Sequence, residues 1–385
     1  MSEIFFTEEE RLFREQVKTF TKEHVAPIGD KIEADLLHPK ELIAEMGGRG
    51  YLGLLHPPEY GGSGKGVSFE IIVAEELSAV SAAAEMSRLA SASLYAMPIN
   101  RFGTGDQKQK YLAPIVKGEK IGALCITEPT VGSDTAGMKT TATRKGEGYL
   151  LNGEKRFITN GSVADFLVVF AITDASVHPH KGMSAFIAET STPGFEVLKD
   201  HDLLGMRGAR VAHLSFREMK VPAENLLGKE NEGFRVLMDE LDSERVVVAA
   251  GMIGTARSAY ETAVKYSTER VQFDQPIRKF EGVSFKIADM ALKLEASRLL
   301  VLQAARMIDR GMRATKQAAM AKLYSTETAV EISNEALQTL GGIGYTKEYR
   351  VERYLRDTRL MTIGAGTSEI MRYLIQREVY REFGY

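Results

Sequence analysis

The hydrophobic period of this chain changes twice, and that change is what most restricts its fold. Over residues 1 to about 120, apolar side chains recur at helical spacing. Leu12, Phe13, Val17 and Phe20 form one stripe, and Ile71, Ile72, Glu75, Leu77 and Val80 open a long segment rich in Ala and Ser. Thr7, followed by Glu8, Glu9 and Glu10, has the chemistry of a helix N-cap, with no Arg-rich or apolar leader ahead of it. From 121 to 230 the pattern contracts to short strand-like runs at 149–151, 166–172, 184–187 and 212–216, separated by Gly, Pro, Asn and Asp. After Gly233 long helical patterns return. This order predicts an α+β protein of three units, 1–120 helical, 121–230 β and 231–385 a helical bundle.

Composition narrows the function. The 385 residues are 44% hydrophobic but hold no apolar run of the roughly 20 residues that a membrane span needs, and the net charge of -3 offers no basic field for nucleic acid or anionic lipid. A small-molecule substrate is favoured. The single cysteine, Cys125, cannot form an internal disulfide, which suits a reducing, bacterial-type cytoplasm.

Two short segments concentrate hydroxyls, turn formers and glycines: Leu124-Cys125-Ile126-Thr127-Glu128-Pro129-Thr130-Val131-Gly132-Ser133-Asp134, and Phe157-Ile158-Thr159-Asn160-Gly161. Either alone could be an ordinary strand end. Together, on either side of an expected β-hairpin, they can aim donors at a flat polar ligand. Two other motifs fail: Glu59 to Gly66 lacks the first Gly and the Ser or Thr of a P-loop, and Gly341-Gly342-Ile343-Gly344 lacks the third glycine of a dinucleotide fingerprint. His178-Pro179-His180 could in principle ligate a metal, but two loop histidines of this kind usually are solvated polar residues, so no metal site is expected.

The paired segments resemble the flavin-binding signature of the acyl-CoA dehydrogenases, and the resemblance extends over essentially the whole chain. It implies that family's fold: an N-terminal helical domain, a middle β-barrel or sandwich and a C-terminal four-helix bundle. It implies FAD as cofactor, with Thr127, Ser133 and Thr159 bonding the isoalloxazine and phosphates and Phe157 packing on the ring where relatives usually carry Trp. Thr367 and Glu369 are further implied cofactor contacts. Arg270 to Ile277 resembles the segment that reaches the FAD of a neighbouring subunit, with Arg270 on the pyrophosphate and Phe273 near the adenosine. Gln338, Gly341 and Gly342 match a second such segment, while Glu281 stands where relatives commonly have Gln. A surface ion pair is the bland alternative for Arg270. Shared contacts of this kind imply a homotetramer built as a dimer of dimers, with an acyl-CoA substrate and an electron-transferring flavoprotein as partner.

The reaction so implied removes an α-proton from a thioester while the β-hydrogen leaves as hydride, so it needs a carboxylate base. Most relatives place that Glu in a Glu-Gly-Thr motif near the C-terminus, where this chain has Gly364-Ala365-Gly366-Thr367. A replacement is Glu244, which at helical spacing shares a face with Leu237, Leu241, Val248 and Gly251, leaving Asp239, Glu240 and Asp242 wetter. Burial there should raise its pKa towards proton-transfer duty. The isovaleryl-CoA-type branch of the family puts its base at this position. An interior salt bridge is the alternative. The backbone N–H of Ala365 would bind the thioester oxygen. Asp242, Arg245 and Ser133 match positions that contact CoA, although Asp242 and Arg245 could simply pair on the helix. Gly364, Met86 and Ser87 would bound an acyl pocket open to branched or alicyclic groups. Glu85 and Arg88, one turn apart, read first as an ion pair on the outer side of their helix, or else as a reader of polar acyl tails. A lyase on the same scaffold and a flavin-bearing DNA-binding relative are the alternative functions.

Overall fold

Thr7 does cap the first helix. Its hydroxyl accepts from the Glu10 N–H at 3.2 Å while the Glu10 carboxylate accepts from the Thr7 N–H at 2.8 Å, a reciprocal capping box that starts α1 (Glu8–Phe20). The computed structural model describes residues 3–385, apart from the side chains of Glu3 and Glu240. On α1, Phe13, Val17 and Phe20 turn inward as expected, but Leu12 is 61% exposed because it sits about 100° around the helix from Phe13. Next come α2 (Lys40–Gly48), α3 (Val67–Ser78), α4 (Ala82–Leu89) and α5 (Ala96–Phe102). Every residue of α3 is buried. A helix covered on all sides lies inside the core, and α3, which packs against α1 and two bundle helices, buries Glu70, Glu75 and Glu76 along with its apolar residues. Between α4 and α5 the helix widens into a π-helical turn, Ala90–Tyr95, a distortion frequent at functional sites.

The middle of the chain forms β1 (Gly122–Cys125), β2 (Thr141–Lys145), β3 (Gly148–Thr159), β4 (Phe166–Ile172), β5 (Met183–Glu189), β6 (Phe195–Asp200), β7 (Val211–Pro222) and β8 (Leu226–Leu227). They make one eight-stranded sheet in the order β6-β7-β3-β2-β4-β5-β8, with β1 parallel to β4. β4 is apolar throughout because both its faces are covered. Leu167, Val169 and Ala171 join the sheet's own core with Leu151, Phe186 and Phe216, whereas Val168, Phe170 and Ile172 meet the helical side at Tyr95, Ile99 and Tyr111. The hairpin expected between the two signature segments is β2–β3.

The C-terminal helices are α6 (Gly233–Glu269), α7 (Glu281–Asp309), α8 (Thr315–Leu340), α9 (Val351–Leu360) and α10 (Ser368–Glu382). α6 and α8 run parallel: Thr315 at the start of α8 bonds Asp242, and Tyr266 near the end of α6 packs on Tyr349 beyond α8, ring centroids 5.7 Å apart. A hairpin of β9 (Val271–Gln272) and β10 (Gln275–Pro276) joins α6 to α7. Among the described residues, no helix is long and apolar enough to cross a membrane.

Candidate active site

The two signature segments are stitched together by the backbone and by one buried ion pair. The Arg156 N–H donates to the Thr127 carbonyl at 2.8 Å, and the Lys155 ammonium donates to the Ile126 carbonyl at 3.0 Å and to Glu128 Oε1 at 2.9 Å. Glu128 also accepts from the N–H groups of Lys139 and Thr140. Burial pushes the Glu128 pKa up, but the Lys155 charge and these donors overcome it and hold the carboxyl below its usual range. Neither Glu128 nor Lys155 was among the residues expected from the sequence. A signal existed: Lys155 shares strand parity with the inward-facing Tyr149 and Leu151.

Just past Lys155 the β3–β7 pairing slips, and within that bulge Phe157 takes φ = 59° and leaves its ring 54% exposed. The Arg156 guanidinium and the His201 ring each lie 4.8 Å from it. Arg156 Nε and His201 Nε2 are buried without a hydrogen-bond partner, and among the described residues the hydroxyls of Thr127, Ser133 and Thr159 take none either. Open donors around an uncovered aromatic face fit a flat, polar-edged group such as a flavin. Asn160 then ties this edge to the helices. Its Nδ2 donates to the Ser87 carbonyl at 2.8 Å, its N–H to Ala209 O at 3.3 Å, and its Oδ1 lies 3.1 Å from His38 Nε2.

Glu244 sits on α6, half-buried. Burial raises its pKa, while the charges of Arg245 and Lys322 pull it back. Among the described residues no cation lies within 4.0 Å of its carboxylate, which disposes of the interior salt bridge. Arg245 turns instead to Asp242, Nη1 to Oδ1 2.9 Å, and Asp242 accepts from Thr315 at 2.7 Å. Those two residues thus do pair on the helix. Asp239 is bound by Arg101, and the Glu240 side chain lies outside the described residues.

The turn between α9 and α10 is linked to Glu244 through Lys322, whose charge acts on Glu244 and whose ammonium donates to the Gly366 carbonyl. Ala365 has φ = 53° and Gly366 φ = 89°, a left-handed conformation that costs a non-glycine residue about 1–2 kcal/mol. The strain is held by bonds on both sides: Gly364 N–H to Leu360 O, Ser368 N–H to Thr362 O, and the Thr367 hydroxyl capping α10 at the Ile370 N–H. Among the described residues the Ala365 N–H has no acceptor, so it is free to donate outward. A Cβ on Gly364 would meet only Met361 Sδ at 3.6 Å and Leu360 O at 3.8 Å, ordinary contacts. Met86 on α4 is half-buried, whereas the Ser87 side chain is fully buried, its hydroxyl unpartnered.

One expectation is overturned. Glu85 and Arg88 are not on the outer side of their helix: Arg88 is fully buried, with Nε and Nη2 on Glu85, and Nη1 2.8 Å from Glu70 and 3.0 Å from Tyr51 O. With its charge met by two carboxylates inside the core, Arg88 is committed to the protein rather than to a polar acyl tail. Helical spacing showed the pair but not the third partner, Glu70, which arrives from α3.

The remaining expected cofactor residues lie elsewhere. Arg270 caps the far end of α6, Phe273 on the following hairpin is 86% exposed, and Gln338, Gly341 and Gly342 are exposed at the end of α8. Glu369, in contrast to these, is exposed in the first turn of α10, next to the Ala365 turn and within reach of the Lys322 charge. Arg270 is 26 residues beyond Glu244, about 39 Å along the helix at 1.5 Å per residue.

The chain thus offers a donor-rimmed aromatic face that fits a flavin, an unpaired half-buried carboxylate and a free backbone N–H. Comparison with known proteins agrees. The chain matches the acyl-CoA dehydrogenase N-terminal domain over residues 7–119, the middle domain over 123–219 and the C-terminal domain over 231–380. It is 42% identical to the short-chain specific acyl-CoA dehydrogenase of Clostridium acetobutylicum, over 97% of this chain and 99% of that one. To the mitochondrial isovaleryl-CoA dehydrogenase of Pongo abelii it is 41% identical, over 98% and 90%. A chain solved in work on the electron transferring flavoprotein of Acidaminococcus fermentans superimposes with a TM-score of 0.95 at 43% identity, covering 98% and 99%. The chain therefore belongs to the acyl-CoA dehydrogenase family. It has that family's three-part fold and is an FAD-dependent oxidoreductase acting on acyl-CoA, a reading that stands over the lyase and DNA-binding alternatives.

Proposed function

We propose that Glu244 is the base that removes the α-proton and that the Ala365 N–H receives the thioester oxygen. The observation that carries this reading is an unpaired, half-buried carboxylate that shares Lys322 with a turn whose free N–H is held in a left-handed conformation. FAD, when bound, supplies the hydride acceptor; Thr127, Ser133, Phe157, Thr159, Thr367 and Glu369 would hold it. Within the chain, Glu244 accepts the proton, and its environment raises its pKa enough to make it a better base than a surface carboxylate. The Ala365 N–H stabilises the enolate-like charge that develops on the thioester oxygen, and because that job belongs to the backbone, an alanine there suffices. Asp242, Arg245 and Ser133 are assigned to CoA, and Met86, Ser87 and Gly364 to the acyl pocket. The open volume at Gly364 favours a short, branched or alicyclic acyl group.

We further assign Arg270, Phe273, Gln338, Gly341 and Gly342 to the FAD of a second copy in a homotetramer built as a dimer of dimers, with units 1–120, 121–230 and 231–385. Electrons would leave to an electron-transferring flavoprotein. A reducing cytoplasm suits the lone Cys125, whose burial pushes its thiol up to about 12.

Glu244→Gln tests the assignment, because the amide keeps the volume and removes the proton acceptor. The variant should fold, bind FAD and bind acyl-CoA, while anaerobic flavin bleaching by substrate slows by several orders of magnitude. Bleaching at the wild-type rate would move the base elsewhere.

A further inference from the structure

Lys322 on α8 is fully buried, among Ala318, Ala319, Ala321, Ser325 and Thr326. A lysine inside a protein is ordinarily met by a carboxylate. Among the described residues none comes within ion-pair distance of its ammonium, which donates instead to the carbonyl of Gly366 at 2.5 Å. The charged groups that face it are Glu244 and Arg245 from α6, Glu369 from α10 and Glu327 from its own helix. Arg245 is held by Asp242 and faces Arg377 of α10, so Lys322 is the cation left to face Glu244 without a carboxylate of its own.

We propose that Lys322 is a positioning residue of the dehydrogenation, an inference that rests on Glu244 as base and Ala365 as oxyanion donor. Its ammonium pins the Gly366 carbonyl, so that the Ala365 N–H keeps its aim, and it supplies the positive charge opposite the Glu244 carboxylate.

Both halves follow from the geometry. The turn carries two successive left-handed residues, Ala365 and Gly366. Bonds from Ser368 and Thr367 fix its downstream side, and Lys322 fixes the carbonyl just beyond the donor. The electrostatic half sets a pH window. Burial raises the Glu244 pKa, and the nearby cations, Lys322 among them, limit that rise. Burial also brings Lys322 itself down to about 8, so the ammonium is charged at neutral pH and is lost in mildly alkaline solution. Activity should rise as Glu244 deprotonates and fall as Lys322 does.

The test is anaerobic stopped-flow reduction of the FAD-loaded enzyme by butyryl-CoA and isovaleryl-CoA as a function of pH, on wild type, Lys322→Arg, Lys322→Met and Lys322→Gln. Wild type should show an alkaline limb near pH 8. Lys322→Arg keeps the charge at all pH values, so its alkaline limb should vanish while its acid limb stays in place. Lys322→Met and Lys322→Gln should lose about tenfold in reduction rate at neutral pH with little change in substrate Kd, and their acid midpoint should move up by roughly one unit. Loss of FAD or of stability with an unmoved acid midpoint would mark Lys322 as structural and overturn the proposal. If Lys322→Met fails to fold, Lys322→Arg decides: an alkaline limb that persists unchanged overturns the proposal. An inactive Glu244→Gln combined with unmoved Lys322 variants refutes only this inference, whereas a fully active Glu244→Gln refutes the assignment of the base.

Discussion

Gly364 and Ala365 present almost no side chain where a thioester is expected, and each lacks it for a different reason. Ala365 sits at φ = 53°, where any larger side chain keeps the same backbone strain, and its contribution is the free N–H. Gly364 is under no such constraint: its φ is not positive, and a Cβ there meets only van der Waals contacts at 3.6 and 3.8 Å. Its smallness therefore leaves room for something else. We expect Gly364→Tyr to fold, because the backbone admits it, and to fill the space beside the α and β carbons. Wild type should favour isovaleryl-, isobutyryl- or cyclohexanecarbonyl-CoA over straight chains of equal carbon count, and the variant should reverse that ranking, at a stability cost of about 1–3 kcal/mol if the site closes around the ring. Steady-state kcat/KM on that panel checks it. A wild-type optimum on octanoyl-CoA would show that the empty volume does not serve branching.

At the scale of elements, α3 is the hub. Glu75 and Glu76, buried on α3, meet Arg14 from α1, Arg257 from α6 and Arg298 from α7, with contacts of 3.4 Å and 2.5 Å to Arg14, 2.6 Å from Arg257 to Glu76 and 3.0 Å from Arg298 to Glu75. Burial alone would raise the Glu75 pKa, but Arg298, Arg257 and Arg14 overcome it and hold it below the usual carboxylate value. Glu75→Gln leaves buried guanidinium groups short of a counter-charge and should cost about 3–5 kcal/mol, read as a lower midpoint in denaturant unfolding at neutral pH. The sign of the pH effect follows from the lowered pKa. The Glu75 contribution is present above the unfolded-state value and lost as pH falls through the folded-state value, so the gap between wild type and variant should narrow in acid. A constant gap across pH would mean that Glu75 acts by packing alone. This cluster also marks where sequence reading stops. The Thr7 cap, the runs 166–172 and 184–187 and the helical face of Glu244 are legible because each is set by local spacing. The ionic knot is not, because its members lie up to 284 residues apart, from Arg14 to Arg298, and only tertiary packing brings them together. Leu12 and Arg88 were misplaced for the same reason: helical period shows which residues share a face, and neighbouring elements decide which face is covered.

At the scale of the whole molecule, most of the residues assigned to FAD fall into two groups carried by different elements. Phe157 and Thr159 lie at the end of β3 and Thr127 just after β1, tied by Asn160 to the α4 helix. Arg270, Phe273 and Gln338 to Gly342 lie at the parallel far ends of α6 and α8, with Arg270 about 39 Å along α6 from Glu244. A cofactor site shared between copies would produce such a separation, and the proposed homotetramer assigns the far group to the flavin of a second copy. Phe273 sits with Asp274 in the two-residue turn of the β9–β10 hairpin, where φ values of 49° and 61° close the turn and leave the Phe273 ring 86% exposed and available to a second copy. If one residue both holds a partner's cofactor and closes the interface, the two properties are thermodynamically linked, and weakening one must weaken the other. Arg270→Ala should therefore lower the flavin-to-protein absorbance ratio after gel filtration and shift sedimentation towards smaller species at low protein concentration, with added FAD restoring both together. The exposed position of Arg270 makes a loss of chain folding an unsuitable explanation, and a far-ultraviolet circular dichroism spectrum matching wild type would confirm that the fold is intact. Full retention of FAD in a variant that still assembles would show that the far group serves no flavin at all.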